Sequence, residues 1–155
     1  MDTKKIILAT RCATLTLATL LLAQPVEAQA VRPTPQHSAA CVAALEQEAE
    51  QLAERFRQGH PEIEPVLVER VREGFAFIGS AWKQGLRDEE ADKLLKAAEE
   101  AQKDLSPEQL AARQAACRAE GAKLLANANA LERAFVNRAA QRRVDKLKHS
   151  SRQEP

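Results

Sequence analysis

The sequence predicts an all-α protein: a small antiparallel bundle of about four helices with a long C-terminal helix, stapled by one disulfide. Three observations predict it. Alanine, leucine, glutamate, glutamine, lysine and arginine dominate, all good helix formers, while β-branched residues are scarce. Apolar residues recur at steps of three and four along stretches bounded by glycine, proline or capping residues. Two of the three cysteines, Cys41 and Cys117, lie inside those stretches and are expected to pair with each other.

The N-terminus reads as an export signal. Lys4 and Lys5 give a positive start, Ala13–Ala23 is an apolar run, and Pro25 breaks it. Val26-Glu27-Ala28 or Ala28-Gln29-Ala30 then offers small residues for cleavage. The alternative is an uncleaved anchor, since Ile6–Ala23 is about long enough to span a bilayer, but Arg11 interrupts it. The expected division is a cleavable signal over 1–30, a flexible leader over 31–37, a helical domain over 38–148 and a disordered tail over 149–155. No transmembrane segment is expected after cleavage, and the expected compartment is the periplasm.

That address shapes the rest. Cys12 leaves with the signal, and the remaining pair, Cys41 and Cys117, is expected to form a structural disulfide in an oxidising compartment. Closing so long a loop stabilises by roughly 4 kcal/mol on the chain-entropy model. Removing residues 1–30 also takes the formal charge of +1 to about zero. A neutral chain has no broad field for nucleic acid, so no nucleic-acid partner is expected.

Ser38 is the expected N-cap of a first helix running to about Gln58, with Cys41, Leu45, Ala49, Leu52 and Phe56 on one face. Gly59 and Pro61 stop it. A second helix starts near Pro65 and carries the broadest stripe: Ile63, Val66, Leu67, Val71, Phe75, Ile78 and Trp82, the expected centre of the fold. Gly74 and Gly79 within it suggest either a close helix approach or a kink. Asp88-Glu89-Glu90 opens a third, covering helix, where the macrodipole favours acidic groups, and Ala91, Leu94, Leu95 and Ala98 give it a narrower stripe.

Leu105-Ser106-Pro107-Glu108-Gln109-Leu110 is the sharpest local signal: a Ser106 N-cap, Pro107 at the first helical position and Gln109 as the reciprocal cap. No further proline appears until Pro155, so the favoured reading is one helix of roughly forty residues, near 60 Å long. Cys117, Gly121, Leu124, Ala128, Leu131 and Phe135 form a coiled-coil-type seam along it, and Val136, Ala140, Val144 and Leu147 a weaker, rotated stripe. The other reading is a bend near Asn127–Asn129 that packs the end back.

No reactive constellation stands out. His37, His60 and His149 lie at no metal-ligand spacing from one another and read as loop or surface groups. No nucleophile elbow, phosphate loop or zinc-protease motif occurs, and no carboxylate is seen facing an apolar interior. No catalytic residue, cofactor or metal is therefore expected, and an enzyme with a site assembled only in the fold is the remote alternative. Two charge rows are more informative: Glu46, Glu50 and Glu54 on the first helix, and Arg138, Arg142 and Lys146 on the last. They read as solvated faces, or as surfaces that meet within or between chains.

Leu105-Ser106-Pro107-Glu108-Gln109 resembles the LTxxQ motif of the small periplasmic helical adaptors and chaperones of the Spy and CpxP type, and Leu86-Arg87-Asp88-Glu89-Glu90 resembles a decayed second copy. The resemblance implies ATP-independent holding of unfolded envelope proteins or restraint of a stress sensor, here as the alternative function. The favoured expectation is an exported accessory or assembly factor acting through protein contact, with another envelope protein or itself as partner. Leu124, Ala128, Leu131 and Phe135 are the candidate partner face, and Arg138, Arg142 and Lys146 the candidate basic patch.

Overall fold

A computed structural model describes residues 32–150; the expected export signal and tail residues 151–155 lie outside them. Helix α1 (Pro35–Arg57) begins where the Thr34 hydroxyl accepts the His37 backbone N–H at 3.2 Å, with Pro35 preorganised in the first turn. The expected start is corrected: Ser38 is buried inside the helix, and the leader ends at Thr34 rather than at residue 37. Gly59 turns the chain at φ 99°, a conformation side-chain-bearing residues avoid, into a short 3-10 turn (Pro61–Ile63). Helices α2 (Glu64–Lys83) and α3 (Asp88–Lys103) follow.

Helix α4 (Pro107–Asn127) starts with the expected box. Ser106 Oγ accepts the Gln109 N–H at 3.3 Å and Gln109 Oε1 accepts the Ser106 N–H at 2.9 Å. A second box, not foreseen, divides the C-terminal stretch. Asn129 Oδ1 accepts the Glu132 N–H at 2.9 Å, and Glu132 accepts the Asn129 N–H at 3.1 Å, which starts helix α5 (Ala130–His149). The favoured single long helix is thus two helices, and the described residues form five α-helices rather than about four. Ala128 at ψ 142° is the extended break between them.

Helix α5 packs back along α2. Lys83 at the end of α2 pairs with Glu132 at 2.6 Å, and Glu64 at its start pairs with Lys148 at 2.6 Å, so the two run antiparallel over their whole length. Between these clamps Leu67 and Val71 of α2, Ala49 and Ala53 of α1, and Ala140, Val144 and Leu147 of α5 form one buried cluster. Cys41 and Leu45 of α1, Phe77 of α2 and Cys117 of α4 form a second, sealed by the Cys41–Cys117 disulfide. The alanines let the helices of the first cluster approach closely, which is why so alanine-rich a chain still fills a core.

The second-helix stripe is only partly the core. Ile63, Leu67 and Val71 are buried, whereas Val66, Ile78 and Trp82 are exposed and Phe77, outside the stripe, has no accessible surface. The face is rotated because α4 and α5 hold α2 from one side while α3 does not cover the other. Helix α3 packs on α1, where Gln102 Nε2 donates to Gln47 Oε1 at 2.5 Å, and it has no buried residue. An open groove therefore separates α3 from α2. Gly74 and Gly79 face no atom within 4 Å of a would-be Cβ, so neither marks a close helix approach.

Candidate functional site

The break at Ala128–Asn129 splits the candidate partner face. Leu124 packs partly buried on the Cys41–Phe77 cluster, and Ala128 is half-buried at the end of α4. Leu131 and Phe135 are 80% and 72% exposed on the outer surface of α5. The seam cannot continue through a new N-cap, since capping resets the helical phase. Val136, Ala140, Val144 and Leu147, the weaker stripe in sequence, become the buried face instead.

Leu131 and Phe135 do not stand alone. Arg138, Arg142 and Lys146 continue along the same helix at helical spacing, all exposed and without an ion pair among the described residues. Helix α5 thus presents an apolar start and a basic end to solvent. The acidic row on α1 does not meet this row. Glu46 pairs instead with Arg143, the half-buried neighbour of Arg142, and Glu54 is held by Arg57 at 2.6 Å within α1.

The groove between α2 and α3 is the second open surface. Pockets of about 360 and 230 Å³ share Val42, Ile78 and Leu95 and make one trough along α1. Trp82 and Leu86 close one end, with the Arg87 guanidinium stacked 4.1 Å over the Trp82 ring. Glu50 and Glu99 lie at the other. Sequence reasoning placed Ile78 and Trp82 in the core, so this trough went unseen. Which helix pairs leave a gap is not encoded in the periodicity of any one helix.

The expected lack of an inward carboxylate is also corrected. Glu73 and Arg70 are 4% and 7% exposed and ion-paired to each other. Arg70 Nε also meets Glu48 at 3.0 Å, and Arg118 of α4 meets Glu48 at 3.0 Å. Burial pushes the Glu73 pKa up, against the pull of Arg70. A Cβ on Gly121 would lie 2.8 Å from Glu73 Cβ, so glycine there lets α4 cross α2 over the buried charges. Glu132, by contrast, is held below the usual carboxylate range by Lys83 and then by the Asn129 backbone N–H.

The disulfide has polar neighbours. His37 Nε2 is 3.6 Å from Cys41 Sγ and 2.7 Å from Glu120 Oε2. His37, expected in a flexible leader, is in the first turn of α1, half-exposed over the second cluster. The signal was available: His37 and Cys41 stand four apart and Cys117 and Glu120 three apart, each pair on one helical face. Compared with known proteins, the chain matches no family model, no curated protein and no solved structure. Among the described residues no helix is long and apolar enough to cross a membrane.

Proposed function

We propose that this is an exported, periplasmic accessory protein without catalytic activity, which works by docking the outer face of α5 on another envelope protein. The observation that carries this reading is the run of Leu131 and Phe135 into Arg138, Arg142 and Lys146. Two large apolar side chains this exposed are costly to hydrate and contribute nothing to the bundle. The unpaired basic row beside them suits a partner that offers an apolar pocket flanked by acidic groups. The disulfide supports an oxidising compartment.

The test is photocrosslinking from position 135 in the native envelope, with position 113 on α4 as a control. One discrete adduct from 135, lost on Arg138→Glu/Arg142→Glu, is the expected result. An adduct with a second copy of the chain would assign a self-contact. A smear of many proteins, with ATP-independent suppression of aggregation by the purified chain, would favour the chaperone reading. The LTxxQ-like string itself is accounted for by the Ser106–Gln109 capping box.

A further inference from the structure

We propose that the reduced chain holds a zinc-type metal ion at Cys41, Cys117, His37 and Glu120, and that the disulfide and the ion are alternative occupants of one position. The donors come as two helix-spaced pairs on facing helices, His37 and Cys41 on α1, Cys117 and Glu120 on α4. Ligand pairs on facing helices are how bundles build metal sites. The donor atoms of His37, Cys41 and Glu120 all lie within 4.8 Å of one another, and Cys117 is bonded to Cys41. Two thiolates, an imidazole and a carboxylate are a tetrahedral set suited to Zn²⁺.

The remaining geometry fits the same use. The cysteines are buried against Leu45 and Phe77, which shields the sulfurs from water, while His37 and Glu120 stand half-exposed and give an ion its way in. In the disulfide form His37 and Glu120 bond each other; with an ion present, both turn their lone pairs to it. The exchange balances. Loading releases the two thiol protons. Oxidation by a disulfide reagent takes two electrons from the metal-bound thiolates, forms the Cys41–Cys117 bond and frees the ion, while the reagent's S–S bond breaks and its two sulfurs take up two protons from water to leave as thiols.

The full chain is reduced anaerobically and titrated with Co²⁺, then with Zn²⁺ against a chelator, while helicity is followed by circular dichroism. The expected result is one Co²⁺ per chain with thiolate charge-transfer bands and the strong visible bands of a tetrahedral site, displaced by Zn²⁺ and expelled by a disulfide oxidant. His37→Ala and Glu120→Gln should each weaken Zn²⁺ binding by about tenfold or more, as loss of a partner at a metal site does. If the reduced chain unfolds, Zn²⁺ should restore its helicity in a manner that needs His37 and Glu120. Overturning results are an octahedral spectrum, or an affinity or helicity recovery unchanged by both substitutions, which would mean that two free thiols capture the ion unaided.

Discussion

Helices α3 and α5 both lie on α1, yet they are held very differently. Helix α5 buries Val136, Ala140, Val144 and Leu147 and is clamped to α2 at both ends by Glu132–Lys83 and Lys148–Glu64. Helix α3 buries none of its residues, although its apolar stripe is the better segregated in sequence. Amphipathicity states what a helix could bury, and neighbours decide what it does bury. Helix α3 packs mainly on α1, while α5 packs on both α2 and α1. The second neighbour converts a faint stripe into core and leaves α3 beside an open trough.

The largest expected effect separates the two directly. Leu147→Ala should lower unfolding stability by about 2–5 kcal/mol in denaturant titration, the usual range for a buried leucine. Leu95→Ala on α3, where the leucine is only half-buried at the trough, should cost clearly less, about 1 kcal/mol. Hydrogen exchange should show α3 amides opening before those of α5. Equal costs for the two substitutions would mean that α3 is as firmly packed as α5.

Glycine substitutions sharpen the same contrast at smaller cost. Gly121→Ala forces a methyl group against Glu73 and should destabilise by about 1–3 kcal/mol. Gly79→Ala, on the open side of α2, meets nothing and should stabilise by up to about 1 kcal/mol through helix propensity. Thermal melts of the two variants should move in opposite directions.

The buried charges give a pH signature. The Glu73 pKa is raised in the fold above its unfolded value, so the folded state binds this proton more tightly. The stability it contributes is fully present below the ordinary carboxylate range and is lost as pH rises through the raised folded value. Relative to Glu73→Gln, the wild-type chain should lose stability over that window. A constant difference between the two across the titration would contradict the assignment. Smallest of all, Leu131→Ser and Phe135→Ser should leave unfolding stability within about 0.5 kcal/mol, since both side chains already face water.

Much of the architecture is legible in the sequence. The helical class, the Ser106–Gln109 cap and the Cys41–Cys117 bond are expected from propensity, local hydrogen bonding and the placing of Cys12 in the expected signal. The Asn129–Glu132 box was readable too, as an asparagine followed three residues later by glutamate, but the unbroken run of helix formers around it masked the stop. Missing it kept Leu131 and Phe135 in a seam they do not join. The groove lined by Ile78 and Trp82 had no local signal, because a gap between two helices is a property of neither.

By itself the sequence determined which segments coil and where each starts, because caps, prolines and helix propensity act over a few residues. Only the tertiary structure decided which face of each helix turns inward. It put Phe77 rather than Trp82 in the core, sank Arg70 and Glu73 together under Gly121, and brought His37 and Glu120 beside the sulfurs. Those outcomes depend on how many neighbours each helix finds and how closely they approach, which no single segment encodes.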